Sequence, residues 1–311
     1  MIFKMNLDSK KIAILALIIS SVIWGSTSTV MKLTLKEVPI FSLAFIRFFL
    51  AALLLYPFVR KKLSIDRKDI PILVISAFLG VTLNISFFFW GLTQTSALNA
   101  GIIVTSSPIF LILIAHTFLK EKISKNLVVG AVMSMVGISI IISKDTLANG
   151  LNVFPFGDFL ILAATLFFVF YEVISKGLFK KYNPLVVTFY SFAIGAMGFL
   201  PSLVVEFQRE PYWIQNISTP AIFGIIYGIL FSSLIAYSFW EWGLFKISAS
   251  KAGFFFYLDP IASTITAVVI LSEKVTTPFL IGAAFIFIGL FFAESHPYRM
   301  LSKAFRKNSS E

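Results

Sequence analysis

The 311-residue chain is 58% hydrophobic and 13% charged, with mean hydropathy +0.91 and a formal net charge of +11. A soluble globular domain carries roughly a quarter charged residues, so that class is excluded. With no Cys and only two His (His116 and His296), disulfide frameworks, thiol nucleophiles and His-rich metal sites are excluded as well.

Crossing a bilayer as a helix takes roughly 20 apolar residues. Ten such runs are predicted, at 11–32, 40–59, 70–92, 98–119, 126–143, 157–179, 184–205, 219–245, 249–271 and 278–295. The first, after Lys10-Lys11, is longer than the core of a typical cleaved signal and is read as a true span. The widest gaps, 144–156 and 206–218, are simple connections. Because each span must satisfy its own backbone in lipid, helices are the expected structure. The predicted fold is an all-α membrane protein.

Positive charge sets the expected orientation. With the N-terminus inside, 20 Lys and Arg fall on cytoplasmic segments, five (Lys32, Lys36, Lys144, Arg209, Lys274) fall outside, and Arg47 lies within a span. This bias places both termini in the cytoplasm, and it explains the net charge without nucleic acid.

The chain also repeats itself. At a shift of 152, Trp90-Gly91-Leu92 falls on Trp242-Gly243-Leu244, Pro108-Ile109 on Pro260-Ile261, and Glu121-Lys122 on Glu273-Lys274. Between 86 and 137, 18 of 52 positions are identical without a gap. The shift carries span four onto span nine, an odd number of crossings, so the two copies are expected in opposite orientations. Inverted repeats let two halves exchange conformations, which suits a secondary transporter. The expected architecture is ten transmembrane helices as two inverted five-helix repeats, at 1–147 and 153–296, with a basic cytoplasmic tail at 297–311.

Two segments carry a family likeness. SSPIFLILIAHTFLKEKIS with GAVMSMVGISII, and YLDPIASTITAVVILSEKVT with IGAAFIFIGLFF, resemble the paired signatures of EamA-type transporters of the drug/metabolite transporter superfamily. An opening Trp24-Gly25 fits as well. The resemblance implies a multi-pass carrier of the bacterial inner (plasma) membrane, often an exporter of amino acids or related metabolites. It implies no cofactor and no enzymatic activity. The smaller multidrug relatives carry a coupling Glu in their first helix, whereas Ile12–Met31 here contains no acid. The coupling ion is therefore left open between a proton and none.

Charges inside hydrocarbon cost about 2.5–3.5 kcal/mol each, so each invites a role. Asp259, expected in the middle of span nine beside the helix-opening Pro260, could bind an amine or a proton, or form an ion pair. Arg47 could grip a substrate carboxylate or pair with an acid such as Asp259. Glu172 is expected to pair with Lys176 one turn on. Glu241, near a span end between Trp240 and Trp242, is expected to snorkel toward water beside an interfacial Trp belt, or to serve as a gate or proton site.

Polar stripes mark further candidates. Ser20, Trp24, Thr27 and Ser28 share one helical face, as do Ser233, Tyr237, Trp240 and Glu241. The candidate substrate-binding set is Trp24, Ser28, Arg47, Asn84, Tyr237, Glu241, Tyr257 and Asp259, in a cavity among spans one, three, four, six, eight and nine. Phe87–Phe89 and Phe254–Phe256 suggest apolar walls. Pro108, Glu121, Pro260 and Glu273 are structural positions of the repeat, His116 is a packing group, and Gly130, Gly137, Gly282 and Gly289 permit close helix contact, compatible with a homodimer face. The expected partners are a small-molecule solute and the bilayer. A membrane enzyme or scaffold acting on lipid-like substrates is the alternative; clustered acids or His for a metal are missing.

Overall fold

A computed structural model describes residues 7–111, 114, 125–149, 155–246, 252 and 254–294. Everything regular among them is helical. Glu121 and His116 lie outside the described residues.

The helices are α1 (Leu7–Thr34), α2 (Ile40–Val59), α3 (Arg67–Gln94), α4 (Ala97–Val104), α5 (Lys125–Asn149), α6 (Phe156–Leu178), α7 (Pro184–Gly198), α8 (Leu200–Arg209), α9 (Thr219–Lys246), α10 (Leu258–Leu271) and α11 (Thr277–Glu294). Among the described residues, five (α1, α2, α3, α6 and α9) are long and apolar enough to cross a membrane. The pair α7–α8 makes a sixth, bent by 44°. Pro201, in the first turn of α8, accounts for the bend by removing a backbone donor. Shorter apolar helices occupy Ala97–Leu111, Val128–Ile141, Leu258–Leu271 and Thr277–Gly289.

The residues form two compact units. The first draws on Met1–Ser107 and Phe156–Lys274. Its polarity is inverted relative to a soluble protein: Phe58, Phe223 and Val269 are exposed, while Ser20, Arg47, Thr188, Glu241 and Asp259 are buried. Such a surface suits lipid, and the chain is a multi-pass membrane protein.

Two of its helices depart from α geometry at matching places. α3 passes through a π turn at Phe78–Leu83, and α9 through one at Gly228–Ile235. Adding the repeat shift of 152 carries 78–83 onto 230–235, inside the second π turn. A π turn holds an extra residue and loosens the regular carbonyl ladder, so these frequently mark functional sites.

Helix starts are secured by carboxylates from elsewhere in the chain. α2 has no side-chain cap of its own; Glu206 accepts from the Phe41 N–H at 2.9 Å and the Ser42 N–H at 2.8 Å. Glu273 accepts from the Ala97 and Leu98 N–H groups at the start of α4, at 2.9 and 3.0 Å. Ser272, at φ 55°, makes the left-handed turn after α10 that precedes it. Glu37 accepts from both the N–H and the Oγ of Ser218, the residue capping α9.

In the second unit α5 packs on α11. A Cβ on Gly137 would lie 2.5 Å from the Gly282 carbonyl, so only glycine allows this backbone approach. Gly130 and Gly289 are buried in the same helices, and Pro108 is a buried residue of this unit.

Candidate functional site

The first unit holds a partly open cavity with about 90 Å³ of space for water-sized groups. Its walls come from α1, α2, α3, α4, α6, α9 and α10, together with the short helical turn Phe254–Tyr257 that precedes α10.

The apolar walls are aromatic. Trp24 meets Phe168 and Tyr237 edge-on, at centroid separations of 5.7 and 5.0 Å, and lies parallel to Phe256 at 6.3 Å. Phe88 lines the cavity too. Trp240 lies behind this wall, 5.2 Å from Trp24 and 4.2 Å from Phe256. Edge-to-face pairs of this kind add about 0.5–1.5 kcal/mol each beyond the area they bury.

The polar groups are few and fixed. Trp24 donates through Nε1 to the Ser232 carbonyl at 3.1 Å. Asn84, directly after the π turn of α3, donates to the Ala164 carbonyl at 2.8 Å. Thr27, Ser28, Thr165 and Ser107 add hydroxyls to the lining. Tyr237, whose ring is wedged among Phe48, Phe168, Phe192 and Trp24, also lines the cavity.

Arg47 is the cation of the site, 2% exposed. Its Nε donates to the Gly228 carbonyl (3.1 Å) and Ser233 Oγ (2.6 Å), and its Nη2 to Ser232 Oγ (2.7 Å). All three acceptors belong to the π turn of α9. Of the two roles expected of it, pairing with an acid such as Asp259 is not seen: no ion pair joins the two among the described residues. The reason is geometric, since the π turn presents a carbonyl and two hydroxyls to one guanidinium edge. That anchoring fixes the fork and leaves Nη1 without a hydrogen-bond partner among the described residues.

Asp259 is the anion of the site. It sits in the first turn of α10, not mid-helix as expected, because a 3₁₀ turn at Phe254–Tyr257 breaks the run just before it. Gly25 makes room for its backbone; a Cβ there would lie 2.4 Å from the Asp259 carbonyl. The carboxyl is 3% exposed, its Oδ1 has no hydrogen-bond partner, and the similarly unpartnered Ser21 Oγ lies beside it. Pro260 is buried next to it. The Tyr257 side chain lies outside the described residues.

Two expectations about the other acids need correction. Glu241 does not snorkel: it is 0% exposed. It shares a helical face with Tyr237 and Leu244, which α9 turns inward, while Phe245 faces outward. Trp240 is no belt residue either, since it is 1% exposed and donates to Glu172 Oε1 at 3.0 Å. Glu172 therefore takes its hydrogen bond from α9, and Lys176 reaches the Leu244 carbonyl at 3.5 Å. Both Glu residues lie behind the aromatic wall, outside the cavity lining.

Sequence reasoning missed Thr165, Phe168 and Ser232. Thr165, Phe168 and Glu172 follow i, i+3, i+7 on α6, a stripe that was there to be read. Phe168 was hidden by abundance, one of 36 Phe.

A polar network ties together the last turn of α1, the end of α3 and the first turn of α6. Lys32, in the last turn of α1, donates to the Thr95 carbonyl and lies 3.8 Å from Glu273. Thr95 donates to Asp158, which also accepts from Asn99 at 3.1 and 3.2 Å.

Comparison with known proteins agrees with this geometry. The model of the EamA-like transporter family matches twice, over residues 11–143 and 155–294. A protein of Archaeoglobus fulgidus named as an uncharacterized transporter is 29% identical over 86% of this chain and 91% of its own length. The Bacillus subtilis uncharacterized transporter YetK is 26% identical over 90% of this chain and 86% of its own. A solved crystal structure, 19% identical, shares the fold with a TM-score of 0.63 over 95% of this chain and 99% of that one. With two copies of the family's unit covering nearly its whole length, the chain belongs to the EamA-like transporter family.

Proposed function

We propose that the protein is a secondary transporter, not an enzyme, that moves amino acids or related amphiphilic solutes across the plasma membrane. The observation that carries this reading is one cavity presenting a fixed cation, Arg47, and an unpartnered carboxyl, Asp259, between aromatic walls. An amino acid offers the complement: its carboxylate takes the free Nη1 edge of Arg47, its ammonium takes Asp259, and its side chain lies against Trp24, Phe168 and Phe256. Each charge-assisted hydrogen bond contributes about 1.5–3 kcal/mol, so both ends together set specificity.

Transport proceeds by alternating access. Ten spans in two inverted halves, with both termini cytoplasmic, put the Lys32–Glu273 and Thr95–Asp158 network at the outer end. Releasing that network is the outward-opening step of an exporter. The anchoring of Arg47 to a π turn fits a site that must shift, because a π turn can relocate by exchanging carbonyl partners.

Counterflow tests this. Proteoliposomes loaded with unlabelled L-phenylalanine should transiently accumulate labelled L-phenylalanine, recovered chemically unchanged. Arg47→Lys should raise KM about tenfold, since Lys lacks the planar fork. If no amino acid gives counterflow, the cargo reading is wrong.

A further inference from the structure

Behind the aromatic wall lies a second polar site that the cargo does not reach. Glu172 and Glu241 are 3% and 0% exposed. Glu172 Oε2 and both Glu241 oxygens have no hydrogen-bond partner. A third group completes the site: the Tyr171 hydroxyl is fully buried, also without a partner, and lies beside the Glu241 carboxyl. The Tyr171 ring is held there by Gly80 in the π turn of α3, where a Cβ would lie 2.2 Å from the ring. Two neighbouring carboxylates in a dry interior are costly, and Lys176, whose charge acts on both, can balance only one of them, so the site favours one further positive charge.

We propose that Glu172 and Glu241 form a proton-binding site that couples transport to the proton gradient. This coupling rests on the transport reading above. The ligand is a proton and not a metal cation, because one of the few oxygens available, Glu172 Oε1, is occupied by an N–H donor. A hard cation needs a full cage of oxygens instead. On binding, a carboxylate oxygen takes H⁺ from hydronium on one side of the membrane and forms an O–H bond. Release to water on the other side restores the carboxylate. The electrochemical proton gradient supplies the free energy.

Trp240 is the link to the cargo. Its N–H bond to Glu172 is strong when the carboxyl is ionised and weak when it is protonated. The same indole packs on Phe256 and Trp24, which wall the cavity. The titratable or charged neighbours are Tyr171 and Lys176 on α6 and Tyr237 on α9. Of the other elements packed here, α7 brings Tyr190, bonded to the Leu63 carbonyl, and α1 carries Asp8, Lys10 and Lys11 in its first turns and Lys32 in its last. Within the first unit α3 and α4 bring no ionisable group beyond Arg67, Lys68 and Asp69 at the first turn of α3.

The test compares L-phenylalanine flux in proteoliposomes under an imposed pH gradient, an imposed Na⁺ gradient and counterflow alone. The wild type should respond several-fold to the pH gradient and not to Na⁺. Glu172→Gln and Glu241→Gln should keep counterflow and lose the pH response, whereas Asp259→Asn should lose both. A pH-indifferent wild type with intact counterflow, a response to Na⁺, or a pH response surviving both Glu variants would overturn the proposal. Absent counterflow would instead remove the cargo reading. Infrared difference spectra of purified Asp259→Asn against pH, which remove the other buried carboxyl left unsatisfied among the described residues, test the site without cargo. A buried carboxyl band that titrates is expected; its absence would overturn the proposal too.

Discussion

Two sets of carboxylates in the first unit have opposite surroundings. Glu37, Glu206 and Glu273 point their oxygens at N–H groups where helices begin, and each oxygen has a donor. Glu172, Glu241 and Asp259 are more deeply buried and keep oxygens that nothing satisfies. The first arrangement is what stability favours, since it meets orphan donors and the helix dipole together. The second lowers stability, and its retention in three places fits the ligand- and proton-binding roles proposed above.

Exchanging carboxyl for amide should separate the sets. The largest effect is expected for Asp259→Asn: counterflow should fall roughly ten- to hundredfold, the loss of one charge-assisted contact, while thermal unfolding stays the same or rises. A fall in unfolding temperature without a change in flux would place Asp259 with the capping set. Next is Gly80→Ala, which forces a methyl into the Tyr171 ring; overpacking of this kind costs about 1–3 kcal/mol, read in thermal unfolding. Glu206→Gln and Glu273→Gln should each cost about 1 kcal/mol of stability and leave the KM for cargo unchanged. The smallest effect belongs to Glu37, whose hydrogen bonds to the Ser218 N–H and hydroxyl hold its carboxyl below the usual value of 4.5. A lowered carboxyl contributes stability above its unfolded pKa and loses it as pH falls through the folded one. Acid unfolding of Glu37→Gln against wild type below about pH 4.5 should show a slightly shallower loss for the variant.

Much of this was legible in the sequence. The run 40–59 is α2 to the residue, and the stripe Trp24, Thr27, Ser28 lines the cavity as one helical face should. Asn84, isolated among apolar residues, is at the wall. Part of what was illegible traces to the two π turns. Each inserts a residue and rotates the rest of its helix by about 100°, so a regular wheel misplaces the side chains beyond it. Pairing with an acid, one of the two roles open to Arg47, fails for the same reason. Its true partners are a carbonyl and two hydroxyls gathered by an irregular turn with no sequence signature. The depth of Glu241 was hidden because nearness to a span end suggests water, whereas the face it occupies decides.

The aromatic wall has an optical consequence. Trp24 and Trp240 have ring centroids 5.2 Å apart with their planes at 47°, on helices distant in the chain. Indole transitions so close couple, and the sign and size of their near-ultraviolet circular dichroism depend on mutual orientation. A movement of α1 against α9 is thereby written into the absorption of polarised light, and the unlabelled protein carries its own gauge of the cavity.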